Sequence, residues 1–143
     1  MSDPILDSPS VLRVRAALDA AGVATEIVAL TDAARTAQAA ADALGCAVGQ
    51  IANSLVFRLE QSGQPLLVMA SGANRVDTAR LGTLAGDRAG KADAGFVRAA
   101  TGFAIGGVAP VGHPERLRTF VDRSLLRFDE IWAAGGHPHT VFT

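Results

Sequence analysis

Two apolar runs, Ile51–Leu59 and Pro65–Ala70, stand either side of the polar pentapeptide Glu60-Gln61-Ser62-Gly63-Gln64. Both are of strand length, and a short polar loop holding a glycine is what joins antiparallel neighbours. The pair is expected at the centre of a sheet, and the rest of the chain has to be placed around it. Upstream, Ser8 or Ser10 can cap a helix whose Val11, Val14, Leu18 and Ala21 fall at helical spacing and which stops at Gly22. Thr25–Leu30 alternates as a strand. Thr31 or Asp32 then opens an alanine-rich helix ending at Gly45.

Downstream, Asp77 and Asp93 are the expected N-caps of two short helices, the first holding Ala79, Leu81 and Leu84, the second Phe96, Val97 and Ala100. Leu117–Val121, Glu130–Ala134 and His139–Phe142 read as strands, with a turn or short helix over Asp122–Arg127. Helices scattered among strands, some of them joined by hairpin-length loops, predict an α+β domain over residues 1–143. Its expected core is a mixed, largely antiparallel β-sheet with short flanking helices. No repeat or low-complexity segment divides the chain, and neither a dinucleotide nor a P-loop glycine fingerprint follows any strand.

Composition narrows the class. A chain of 143 residues can bury about two-thirds of its surface in one compact domain. With 49% hydrophobic and 19% charged residues and a mean hydropathy of +0.27, long disorder is not expected. No apolar run approaches the ~20 residues of a membrane span. The single cysteine, Cys46, can form no internal disulfide, and the start of the chain lacks a signal-peptide pattern, so a cytoplasmic protein is expected. The net charge of −1 divides into 4 Arg against 7 acids up to residue 70 and 9 Lys+Arg against 7 acids after it. That excludes a nonspecific nucleic-acid binder, which needs many cations to neutralise phosphates. A protein that grips only one end of a nucleic acid remains open.

The segment Thr101–Pro114, TGFAIGGVAPVGHP, places four glycines and two prolines in fourteen residues, too much punctuation for a helix or a plain strand. Two readings fit. A loop in which Gly102, Gly106, Gly107 and Gly112 allow unusual backbone angles can aim several N–H groups at one oxygen, which builds an oxyanion hole or anion nest without charged side chains. Equally, it can be a turn that lets a strand pass close to its neighbour.

His113, beside this loop, is a candidate substrate contact or a plain surface histidine. His137 and His139 have His-x-His spacing without a visible third ligand, and no metal site is expected. Cys46 reads as a small buried hydrophobe, and no serine has a hydrolase setting. Asn53 interrupts the strongest strand, as a solvent-facing position does. Arg75 reads as a surface charge beside the Asp77 cap, unless either faces a pocket mouth.

QIANSLVF at Gln50–Phe57, LLVMASG at Leu66–Gly72, RVD at Arg75–Asp77, TGFAIGGVAPVGH at Thr101–His113 and WAAGG at Trp132–Gly136 follow in an order that resembles the YbaK-like family. That family is related to the editing domain inserted in bacterial prolyl-tRNA synthetases, and the resemblance runs from about Ser10 to Phe142. It implies an aminoacyl-tRNA deacylase that hydrolyses the ester of a mischarged tRNA in trans, of the tRNA-Pro type, with no metal, cofactor or nucleophilic side chain.

By that resemblance, backbone amides of the GxxxP loop, Gly106–Pro110, hold the carbonyl, and the 2′-OH of the terminal ribose helps to place the water. Gly106, Gly107 and Asn53 are thereby assigned to catalysis. Ser71, Gly72, Arg75, Val108, Ala109, Pro110 and His113 are assigned to substrate binding. Many members carry a lysine where this chain has Asn53, so a charge-assisted contact becomes a neutral one, with Arg75 a candidate to restore the charge. The implied partners are the 3′ end of a mischarged tRNA and a synthetase that delivers it, with the protein a monomer or homodimer and no membrane contact. A catalytically silent binding module of the same fold, or a dimeric structural protein joined at a sheet edge, are the competing classes.

Overall fold

The computed structural model describes residues 4–30 and 36–143. Helix α1 (Pro9–Ala20) starts after Ser8 with proline in its first turn and buries Val11, Val14 and Leu18, one stripe of the expected periodicity. Strand β1 (Val28–Ala29) is much shorter than the expected Thr25–Leu30. Helix α2 (Ala37–Leu44) is capped by Thr36, whose hydroxyl accepts from the Ala39 amide, and ends at left-handed Gly45. The expected caps Thr31 and Asp32 lie outside the described residues.

The hairpin forms as its sequence demands. Strands β2 (Ala52–Leu59) and β3 (Pro65–Ser71) pair antiparallel from Ala52 opposite Ser71 to Arg58 opposite Pro65. β3 is buried along almost its whole length, which explains why Leu66–Ala70 reads as a continuous apolar run rather than an alternating one. Leu67 and Met69 face a core built with α1, while Leu66, Val68 and Ala70 face a second core. Leu66 and Leu67 are fully buried, each contributing about 2–3 kcal/mol.

The second core is closed by α3 (Thr78–Ala85), whose cap Asp77 accepts from the Arg80 amide. Next comes β4 (Ala89–Lys91), a strand that the sequence did not announce, antiparallel to the end of β2. Helix α4 (Ala94–Thr101) is capped by Asp93 and closed by left-handed Gly102. Strand β5 (Arg118–Val121) lies parallel to β3, which gives a four-stranded sheet of order β4-β2-β3-β5. The Asp122–Arg127 turn is a 3-10 helix over Arg123–Arg127.

The expected single sheet is in fact two. Strands β6 (Ala133–Ala134) and β7 (Thr140–Phe142) join β1 in a small antiparallel sheet of order β1-β7-β6. A parallel bridge between Ile51 and Trp132 ties it to the start of β2. Among the described residues no helix is long and apolar enough to cross a membrane.

Candidate active site

The outer edge of β2 is paired at both ends and open between them. The Ala52 amide donates to the Trp132 carbonyl, and the Glu60 amide donates to the Arg88 carbonyl. Since strand amides alternate in direction, even-numbered residues of β2 point away from β3. β4 covers Phe57–Leu59 only, so the N–H and C=O of Ser54 face outward with no neighbouring strand. The glycine loop lies along this gap.

Loop geometry is fixed from behind. The Thr101 hydroxyl donates to the Val97 carbonyl at 2.7 Å and accepts from the Phe103 amide at 3.0 Å. Phe103 is fully buried, with the Arg13 guanidinium over one face of the ring and His113 at its edge. From that anchor the chain turns out through Ile105 and Gly106, which has φ +90°, and the Gly107 amide closes the turn on the Ala104 carbonyl at 2.9 Å. A side chain at Gly107 would sit 2.9 Å from the Cα of His137, so loop and His137-Pro138 segment approach only because Gly107 has none.

Between this turn, the β2 edge, α2 and the small sheet lies a cleft of about 370 Å³. Asn53, Gly106, Val108, Thr36, Trp132 and Pro138 are among its lining residues. An adjoining cavity of about 350 Å³ shares Ser54, Leu55, Ile105, Gly106 and Val108 with it.

Most of the cleft wall is apolar; of its polar side chains, the Thr140 hydroxyl is tied to His137 and the Ser54 hydroxyl to the Met69 sulfur, and the groups around Gly106 and Asn53 are unengaged. Among the described residues the Asn53 carboxamide makes no hydrogen bond, nor do the amides of Gly106, Val108 and Ala109. The Thr36 hydroxyl accepts the helix-cap bond, which leaves its proton available. No described residue lining this first cleft is charged.

Residues 31–143 match the profile of the aminoacyl-tRNA editing domain. The chain belongs to that family. A solved structure described as a candidate trans-editing enzyme for prolyl tRNA synthetase is 45% identical. It superimposes with a TM-score of 0.87 over 94% of this chain and 85% of its own. The hypothetical protein APE2540 superimposes at 0.83 with 28% identity, over 91% of this chain and 86% of its own. The uncharacterized protein YwhH of Bacillus subtilis (strain 168) is 34% identical over 71% of this chain, a match that spans 64% of YwhH's length.

Within this editing domain the structure brings together only part of the residue set expected from sequence. Asn53, Gly106 and Val108 meet in the cleft, while Gly107, Ala109 and Pro110 shape the loop without lining it. His113 turns away from the cleft. Its Nε2–H donates to the Ala109 carbonyl at 2.7 Å, and burial pulls its pKa below the ordinary 6.5, with the bond to that carbonyl opposing the shift. It braces the loop as a neutral ring.

Ser71 and Gly72 stand one layer behind the cleft wall. The Ser71 hydroxyl donates to the Gly49 carbonyl at 2.9 Å, and Gly72 packs against Val48 and the cleft residue Ala37. Arg75 is exposed and lines neither cavity.

The histidine pair is engaged locally, since Nδ1 of His137 accepts from the His139 amide at 3.1 Å. Among the described residues no group of three or more His, Cys, Asp or Glu could hold a metal ion. The Cys46 thiol, pushed up from its ordinary value by burial, packs beside Ala40, Ala41 and Ile51 and lines neither cavity. Thr36, Ile105 and Pro138 were not expected in the cleft from sequence. Trp132 carried a signal, as the only tryptophan and the start of WAAGG.

Proposed function

We propose that this editing domain is an aminoacyl-tRNA deacylase acting in trans on mischarged tRNA of the tRNA-Pro type. One observation carries the reading: unengaged donors of Gly106, Val108 and Asn53 belong to a single apolar-walled cleft. Hydrolysis of an ester needs a polarised carbonyl and a placed water. Loop amides at Gly106 and Val108 hold the carbonyl oxygen and stabilise the negative charge that develops on it. Asn53 and the Thr36 hydroxyl orient the ester and the water. The water adds to the carbonyl carbon, the bond to the ribose oxygen breaks, and a free amino acid and the tRNA hydroxyl leave.

As in the mechanism that the family resemblance implies, the substrate's neighbouring ribose hydroxyl helps to place and activate the water. The neutral Asn53, where many family members carry a lysine, favours a second reading, a silent module that binds a tRNA end without cleaving it. Single-turnover deacylation of tRNA-Pro charged with alanine, cysteine, serine or 2-aminobutyrate separates the two. Cleavage above the buffer rate that Gly106→Val removes supports the deacylase. Silence across a wide aminoacyl-tRNA panel, with retained binding of the tRNA end, leaves the module.

A further inference from the structure

Among the described residues, the two cavities that meet at Gly106 are lined by one charged side chain, Lys91 at the end of β4. Lys91 pairs with Phe57 across the ladder, so strand alternation places it on the face opposite that of the adjacent Arg58–Gly90 pair. Glu60 lies against Gly90, where a Cβ would come 3.1 Å from its carboxylate, and reaches Arg88 at 3.7 Å. Lys91 has no ion pair among the described residues. An exposed ammonium therefore borders a cavity walled by Leu55, Val56, Phe57, Val97 and Ile105, with no lining carboxylate opposite it.

We propose that Lys91 binds the phosphodiester that precedes the terminal nucleoside of the tRNA 3′ end, an inference that rests on the deacylase reading. With the ester at Gly106, the nearest negative charge of the substrate is that phosphate, one nucleoside away. The cavity between Gly106 and Lys91, at about 350 Å³ and with apolar walls, suits the intervening nucleoside. The aminoacyl group is left to the cleft beside Asn53. The site thus reads its substrate in two compartments joined at the glycine turn, with one cation at the far end.

The test compares wild type with Lys91→Ala and Lys91→Arg on three substrates: aminoacyl-tRNA, an aminoacyl-adenosine, and the same ester bearing a 5′-phosphate. Lys91→Ala should raise KM about fivefold for the tRNA and the phosphorylated ester, leave the plain adenosine ester unchanged, and be rescued by arginine. The slope of log affinity against log salt for a 5′-phosphorylated CCA trinucleotide without an aminoacyl group should become shallower by about 0.7, one phosphate contact on a single strand.

Equal loss on both small esters, or no change on any substrate, overturns the assignment. So does a lost salt slope in Arg116→Ala instead, since Arg116 lines a separate groove of about 820 Å³ on the Phe96 and Ala99 side of α4. If wild type cleaves no ester, the deacylase reading fails. The trinucleotide slope still decides whether Lys91 holds phosphate.

Discussion

Two polar corners of this molecule are built from similar groups and end in opposite states. At Asp122 every partner is engaged: its carboxylate accepts from the Ser71 and Ser124 amides and from the Asn74 side chain, and Asn74 also donates to the Ser124 hydroxyl. Burial would raise the pKa of Asp122, but these hydrogen bonds outweigh it and hold the carboxyl below its ordinary value. At Gly106 the amides and the neighbouring Asn53 have no partners among the described residues. Gly106 itself is exposed, but Asn53 is half-buried and Val108 buried, and a donor left open at such positions costs stability unless a ligand or water completes the bond. The first corner holds the hairpin; the second, on the proposed function, is completed by substrate.

That contrast is broken most severely at Gly106. Valine there faces a φ of +90° that a branched side chain resists, and single-turnover deacylation should fall by about 100-fold or more. The urea midpoint should also fall, by the strain of a side chain at that φ, but a Cβ meets nothing closer than 3.7 Å, so the loss of activity far exceeds the loss of stability. Asp122→Ala should do the reverse. It is expected to lose about 2 kcal/mol of stability in denaturant titrations while the folded fraction cleaves at the wild-type rate. A drop in activity that exceeds the loss of folded protein would show that the two corners are coupled.

Asn53→Ala should lower kcat/KM about tenfold with stability unchanged or slightly raised, since an unengaged carboxamide is removed from a half-buried position. The smallest effect belongs to His113. Its folded-state pKa lies below its unfolded one, so the unfolded chain binds the extra proton first. Stability is fully present above about pH 6.5 and declines as pH falls through the window down to the lowered value. Against wild type, His113→Gln should flatten that part of the stability profile by a few tenths of a kcal/mol, read from urea midpoints between pH 7.5 and 5.5.

What could be read in the sequence follows from how local each cause is. The hairpin, the aspartate caps at Asp77 and Asp93 and the glycine stop at Gly45 depend on neighbours within a few positions, and the structure has them where the sequence placed them. β4 could not be read that way. Ala89-Gly90-Lys91 has no apolar period and is a strand only because the end of β2 offers it a partner. β1 contracted to Val28–Ala29 for a related reason, as β7, its partner, is itself short. In the site, Asn53, Gly106 and Val108 were legible because they sit within compact motifs. Thr36, Ile105 and Pro138 were not, since only the tertiary fold brings α2, the loop tip and the His137–Thr140 turn to one cleft. His113 misled by its nearness in sequence: four residues from Ala109, it finds that carbonyl and turns inward.

The interrupted pairing along β2 also has a signature in hydrogen exchange. The Leu55 amide faces β3, across from Val68, and should be protected nearly as well as the core. The Ser54 amide, one residue away on the same central strand, points into the gap and should exchange like a loop position. An occupant seated against that edge would slow Ser54 and leave Leu55 as it was, so that a single amide reports whether the cleft is filled.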